Sequence, residues 1–292
     1  MERVLILGGS GMLGHKLAQV FAGRFETWTS VRRLSALAGV PRIDGVRVIE
    51  GFDAQDVPAL DAVWAQSQPT VVVNAIGVIK QLPSGKDPVT CIAVNSLFPH
   101  RVAALTSRNG CRLIHVSTDC VFSGKKGGYA ESDTPDADDL YGRSKLLGEV
   151  VSAGALTLRT SIIGRELGTA HGLVEWFLAQ EGSTAKGYSR AIFSGLPTLV
   201  LARTIADIIE SHPALTGLYH LSADPIAKYK LLHLLREVFA VTVEIEKDET
   251  VAVDRSLDST RFRSLTGFAP SPWPVLVEAM ARDASKLNCQ RR

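Results

Sequence analysis

The segment Gly8-Gly9-Ser10-Gly11-Met12-Leu13-Gly14 constrains this chain more than any other stretch. It follows the apolar run Arg3-Val4-Leu5-Ile6-Leu7, which reads as a short buried strand, and leads into a helical pattern from about Met12. Glycines at three-residue spacing let the backbone turn tightly and approach a pyrophosphate, while the helix that follows aims its first amides at the anion. Gly8, Ser10, Gly11, Met12 and Leu13 are therefore candidate dinucleotide contacts. The strand before and the helix after separate this reading from an ordinary glycine turn.

The rest of the chain repeats the strand-then-helix alternation. Strands are expected at Glu26–Val31, at Val71-Val72-Val73 ending in Asn74-Ala75, and at Leu113-Ile114-His115-Val116 ending in Ser117-Thr118-Asp119. Thr157-Leu158 running to Arg159 and Gly217–Leu221 follow, with helix-like stretches between. This predicts an α/β fold with a doubly wound parallel sheet, in which ligands sit beyond the carboxyl ends of the strands. After Gly164 the pattern loosens into a glycine-rich stretch through Gly195, then helical patterns at Leu199–Glu210 and Leu231–Ala240. We assign 1–164 to a dinucleotide-binding core and 165–198 with 223–292 to a smaller C-terminal substrate-binding lobe; 199–222 returns to the core as helix and strand.

Composition narrows the function classes. In 292 residues, 46% apolar and 21% charged content fits a globular fold, and a formal charge of +2 without a basic run argues against nucleic acid as a partner. The first apolar run is cut by glycines before a signal core or membrane span develops, so no membrane association and a cytoplasmic location are expected. Cys91, Cys111, Cys120 and Cys289 form no close pair and read as buried thiols of a reducing compartment. The seven histidines show no ligand spacing, and His115 inside an apolar run reads as a core residue, so no metal is expected.

The end of the second strand decides the dinucleotide. A free ribose is usually met there by an acid, whereas a 2′-phosphate needs a cation. This chain has Val31-Arg32-Arg33, and guanidinium groups match phosphate oxygens, which favours NADPH over NADH; the alternative is two exposed arginines opening a helix. Asp53, in Gly51-Phe52-Asp53 after the third strand, reads as a contact to the adenine amino group or as a turn residue.

Tyr141-Gly142-Arg143-Ser144-Lys145 lies in a helix expected to open near Asp138 and Asp139. Four-residue spacing puts phenol and ammonium on one face, where the cation is expected to lower the phenol pKa and make Tyr141 a usable proton donor. In a ketone reduction the nicotinamide supplies hydride, the acid protonates the developing alkoxide, and Thr118 at a strand end can hydrogen-bond the same oxygen. Gly142 inside this helix is expected to reflect close packing against the cofactor.

These motifs, with Val73-Asn74-Ala75, Asn95 in Ala93-Val94-Asn95, Val116-Ser117-Thr118-Asp119, Tyr129-Ala130-Glu131, Gly148-Glu149 and Leu158-Arg159-Thr160-Ser161, carry a resemblance over most of the chain. The chain resembles the dTDP-4-dehydrorhamnose reductase family of extended short-chain dehydrogenase/reductases, which implies a Rossmann core and cell-surface polysaccharide synthesis. By that resemblance Thr118 and Tyr141 bind and protonate a sugar ketone, and Lys145 holds the nicotinamide ribose and tunes the tyrosine. Asn74, Ala75 and Gly77 line the cofactor, with Asn95 in support. Cys120 stands where tyrosine is common in the family, beside Asp119 at the sugar, so the rhamnose assignment does not carry over.

Trp176 reads either as a sugar-stacking ring or as core, and Lys80 either as a diphosphate contact or as a loop lysine. The leading expectation is an NADPH-dependent reductase of a nucleotide-linked 4-keto-6-deoxy sugar. A related epimerase or dehydratase that retains its NAD(P), and a non-catalytic NADP-binding regulatory subunit, are the alternatives. Whether surface helices form a homodimer face is left open.

Overall fold

A computed structural model describes residues 1–37, 42–167 and 170–289, and of 284–289 the backbone. The first half comprises β1 (Arg3–Leu7), α1 (Gly14–Phe21), β2 (Glu26–Val31), β3 (Val46–Glu50), α2 (Val57–Ser67) and β4 (Val71–Asn74). A short α3 (Pro88–Cys91), a π-helical turn (Ile92–Leu97) and α4 (Phe98–Arg108) run on from one another, followed by β5 (Arg112–Val116), α5 (Leu140–Leu147) and β6 (Ala155–Arg159). Then come β7 (Ile162–Ile163), α6 (Leu173–Leu178), β8 (Thr184–Phe193), β9 (Leu196–Pro197), α7 (Thr198–Ser211) and β10 (Gly217–His220). The chain ends with β11 (Ile226–Ala227), α8 (Lys228–Phe239), β12 (Glu244–Asp254), α9 (Thr260–Thr266) and α10 (Trp273–Cys289).

Seven strands form one sheet in the order β10-β6-β5-β4-β1-β2-β3, and every neighbouring pair is parallel. The doubly wound sheet expected from the sequence is therefore the fold. Its order reverses between β1 and β4, so the glycine loop leaves β1 at the switch point, the place beyond the strand ends at which sheets of this kind bind ligands. Side chains alternate across each strand: Val4, Ile6, Val71, Val73 and Ile114 join one core with α1 and α7, while Leu5, Leu7, Val72 and Leu113 join the other with α2 and α4.

The first core does not stop at the sheet. Leu231 and Leu235 of α8, Phe262 of α9, and Leu276 and Met280 of α10 belong to the same cluster as Val4 and Leu158. A small sheet, β11-β8-β12, lies in this C-terminal part, and β7 pairs with β9 where the chain crosses to it. The stretch that looked merely glycine-rich thus holds a helix and the ten-residue strand β8. β8 and the eleven-residue β12 are mostly exposed or half-buried, so they carry little of the apolar signal by which strands are recognised. Among the described residues no helix is long and apolar enough to cross a membrane.

Candidate active site

Gly8 holds φ at +98°, a region open to glycine, and its carbonyl accepts the Gly11 N–H at 3.0 Å. A Cβ on Gly9 would collide with Thr29, and one on Gly14 with the Gly8 carbonyl, so these two glycines let the loop close on the sheet and α1. Gly11 is left exposed, Ser10 and Met12 half-buried; Leu13 belongs to the core, so only its backbone faces the loop. Arg32 and Arg33 follow β2 directly, exposed, and their guanidinium groups make no hydrogen bond or ion pair among the described residues. The helix expected after them is a short 3-10 turn, Leu34–Leu37. The Phe52 N–H donates to Val31 O, which brings Asp53 beside this strand end, and Asp53 Oδ1 accepts the Gln55 N–H at 2.9 Å as a turn residue does.

Opposite the loop, α5 opens on Asp139, whose carboxylate accepts the Gly142 N–H at 2.7 Å. On this helix Lys145 is buried and donates to Val116 O at 2.8 Å, at the end of β5. A Cβ built on Gly77, in the loop after β4, would lie 3.9 Å from Lys145 Nζ and 3.5 Å from Asn95 Oδ1. The loop after β4, the end of β5 and α5 therefore converge. Thr118, buried two residues beyond β5, accepts the Cys120 N–H at 3.1 Å and donates to Asp119 Oδ1 at 3.2 Å.

Two expectations about α5 are corrected. The Tyr141 phenol is not lowered by Lys145: burial pushes it well above its ordinary value, helped by Cys120, while a hydrogen bond from Thr118 pulls the other way. Lys145 is brought down to about 8, again chiefly by burial, with Glu149 opposing. Desolvation governs both groups because a neutral phenol and a neutral amine each tolerate an apolar setting better than their ions. Gly142 does not face a cofactor. Its Cβ position is filled by the Cys120 carbonyl and by Ala137, so glycine is needed there to seat α5 against the Thr118–Cys120 turn.

The motif residue Asn95 is joined by Ser96, which the motifs did not single out. Asn95 sits in the π-helical turn, fully buried; its Oδ1 accepts the Val78 N–H at 2.8 Å, and its amide donates to Val78 O at 3.0 Å and Ser144 Oγ at 3.2 Å. Next to it, Ser96 donates to Ser144 O at 2.8 Å, and Ser144 donates to Tyr141 O at 2.9 Å. Neighbours in a regular α-helix point about 100° apart. The wider π turn lets both reach Ser144, the residue before Lys145. A Cβ on Gly148 would strike the Asn95 carbonyl, so α5 can lie this close only with glycine there.

The remaining candidates divide. Asn74 is fully buried, its Oδ1 accepting the Ile76 N–H at 3.1 Å and its amide 3.2 Å from His115 Nδ1, so its side chain shapes the loop that presents Ala75 and Gly77. His115 is the core residue expected, its ring held neutral by burial. Asp119 is buried with its carboxyl pushed up by desolvation. Cys120 departs from the expected buried thiols: it is half-buried, its thiol pushed up to about 12 by burial and Asp119, while Cys91 and Cys111 are buried and the Cys289 side chain lies outside the described residues. Trp176 is 39% exposed on α6, which removes the core reading. Lys80 is exposed and acts electrostatically on Asp119 and Cys120, as does Arg255, which the sequence did not single out. Among the described residues no group of three or more His, Cys, Asp or Glu could hold a metal ion.

The chain is 27% identical, over an alignment of 304 residues covering 94% of it and 96% of the relative, to a dTDP-4-dehydrorhamnose reductase of Aggregatibacter actinomycetemcomitans. It is 24% identical over 324 residues, covering 95% and 89%, to methionine adenosyltransferase 2 subunit beta of Mus musculus. Its fold matches that of dTDP-4-dehydrorhamnose reductase from Bacillus anthracis str. Ames in complex with NADP, with a TM-score of 0.77 at 21% identity over 97% of this chain and 99% of that one. Residues 1–282 match the family described as RmlD substrate binding domain, with the glycine loop, Thr118, Tyr141 and Lys145 all inside the match, and to that family the chain belongs.

Proposed function

We propose that the chain is an NADPH-dependent reductase of a nucleotide-linked 4-keto-6-deoxy sugar. The observation that carries this reading is the convergence of Thr118, Tyr141 and Lys145 beyond the strand ends, across from a glycine loop at the switch point of the sheet. The likeness to a dTDP-4-dehydrorhamnose reductase along nearly the whole chain supports the substrate class.

The residues fit a dinucleotide. Gly8, Ser10, Gly11, Met12 and Leu13 offer backbone amides to a diphosphate, and Arg32 and Arg33, unpartnered among the described residues, suit a 2′-phosphate. The NADP in the Bacillus anthracis neighbour supports that choice. Asp53 would stand by the adenine, and Ala75, Gly77 and Lys145 would flank the nicotinamide ribose. When bound, the reduced nicotinamide supplies hydride to the carbonyl carbon. Tyr141 starts protonated, as its raised pKa requires, and gives its proton to the carbonyl oxygen; Thr118 turns from Asp119 to donate to the same oxygen. Asp119, Cys120, Lys80 and Trp176 would bound the sugar nucleotide.

A second reading, a non-catalytic dinucleotide-binding subunit, is favoured by the likeness to methionine adenosyltransferase 2 subunit beta. The intact acid, ammonium and hydroxyl count against it. The test is loss of NADPH absorbance with a panel of nucleotide-linked 4-keto-6-deoxy sugars. Substrate-dependent oxidation is expected, and Tyr141→Phe should lower kcat about 10²- to 10⁴-fold, the usual worth of a general acid. NADPH binding without oxidation across the panel would favour the second reading.

A further inference from the structure

Two motifs, Gly148-Glu149 and Leu158-Arg159, take no part in the convergence of Thr118, Tyr141 and Lys145, yet the fold joins them directly behind it. Glu149 lies four residues beyond Lys145, just past α5, and Arg159 closes β6. Arg159 Nε donates to Glu149 Oε1 and Nη2 to Oε2, each at 2.7 Å, and the two side chains are only 5% and 7% exposed. A buried ion pair is a poor source of stability, because desolvating both ions consumes most of their attraction. The other bonds of the pair show where it acts.

Arg159 is held from behind. Its Nη1 lies 3.3 Å from His220 Nε2 on β10, and its guanidinium carbon 5.2 Å from the Phe122 ring centroid. His220 Nδ1 is 2.9 Å from the Tyr129 carbonyl, so that nitrogen carries the proton and Nε2 accepts from the arginine. Glu149 faces the other way. Its Oε1 also accepts the Ser117 hydroxyl at 2.8 Å, and Ser117 stands between Thr118 and Val116, whose carbonyl accepts the Lys145 ammonium at 2.8 Å. The Ser117 and Asp119 N–H groups donate to Leu158 O and Thr160 O at 2.8 and 3.1 Å, so this segment and the one bearing Arg159 stay paired past the strand ends.

The groups around Lys145 leave Glu149 as its charged neighbour. Tyr141, one turn earlier on α5, is a phenol; His115 of β5 is kept neutral by burial; and Gly77 and Asn95 bring no charge from the loop after β4 and the π-helical turn. Burial disfavours the Lys145 ammonium and Glu149 favours it. We propose that Glu149, held by Arg159, is a positioning residue for the reduction: through Ser117 it fixes the segment that presents Val116 O and Thr118, and it sets a negative charge toward Lys145. The inference rests on the proposed reaction for its effect on turnover, while the state of Lys145 can be followed without substrate.

The experiment titrates the Lys145 Cε resonance in the full chain labelled with carbon-13 lysine, assigned by its absence in Lys145→Arg, and compares its midpoint with the pH profile of kcat/KM. Glu149→Gln combined with Arg159→Met removes both charges and strands neither ion, which a fold tolerates better than the loss of one partner. There the Lys145 midpoint should fall about one unit below that of wild type, and the alkaline limb of kcat/KM should move down with it. Ser117→Ala, which keeps the pair, should lower kcat about 10- to 100-fold through misplacement of Thr118, with the midpoint nearly unchanged. An unmoved midpoint in the double variant, or a Ser117→Ala kcat within about twofold of wild type, would overturn the inference. If wild type reduces no nucleotide-linked sugar while the midpoint falls as stated, the link from Glu149 to Lys145 stands and the proposed reaction does not.

Discussion

Tyr141 and Lys145 are displaced in opposite directions by one cause, and in the proposed reaction this would suit the pair to proton donation rather than abstraction. Removing water from a phenol raises its pKa and removing it from an ammonium lowers it, so near neutrality Tyr141 is a phenol and Lys145, at about 8, is at the edge of losing its proton. Lys145 is charged below that value and neutral above it. The kcat/KM profile should accordingly fall as pH rises through about 8, with the tyrosine contributing no limb there, and Lys145→Arg, which stays charged, should carry the surviving activity to higher pH. A profile flat to pH 10 in the wild type would contradict this. The proposed preference for NADPH would also rest on single residues: Arg32→Ala with Arg33→Ala should raise the KM for NADPH about 10- to 100-fold and leave that for NADH nearly unchanged, as expected when charge-assisted bonds to one phosphate are lost. Equal effects on both cofactors would place the arginines elsewhere than at the 2′-phosphate.

At the scale of elements, the π-helical turn between α3 and α4 joins the loop after β4 to α5. Asn95 satisfies both backbone groups of Val78 and also Ser144 Oγ from one buried amide. Asn95→Ala leaves those groups without partners, and chemical denaturation should show a loss of about 1–3 kcal/mol, with a lower kcat as Lys145 loses its support. Ser96→Ala removes one bond to Ser144 O and should cost about 1 kcal/mol. If Asn95→Ala changed stability by less than about 0.5 kcal/mol, the turn would not be a clamp. Small residues complete the element contacts. Gly142 and Gly148 let α5 settle against the Cys120 and Asn95 carbonyls, a steric demand of the protein itself.

Over the whole molecule, the large sheet and the C-terminal part share one apolar core. Phe262 of α9 is fully buried in the cluster that includes Val4 of β1, so Phe262→Ala should cost about 3–5 kcal/mol and lower the stability of the entire chain. Tryptophan fluorescence and far-ultraviolet dichroism should report a single coincident transition, because Trp28 and Trp64 pack on one face of the sheet and Trp273 on the other. Two separated transitions would show that the C-terminal part unfolds on its own. The same continuity places the end of β12 against Phe122 and Gly124, the segment that follows the Thr118–Cys120 turn.

The sequence by itself determined the parallel sheet, the glycine loop and the tyrosine–lysine helix. Each depends on local spacing: apolar runs ending in glycine or Asn74, glycines three apart, and Tyr141 and Lys145 one helical turn apart. Only the tertiary structure decided what surrounds them. The direction of the Tyr141 shift follows from burial, which no spacing encodes, and the role of Gly142 follows from a carbonyl twenty-two residues earlier in the chain. Arg255 reaches the Phe122 carbonyl from the end of β12, which pairs with β8, strands too exposed to announce themselves by apolar alternation. Short-range periodicity records which face of an element is buried; long-range pairing records which element it is buried against, and only the folded chain contains the second.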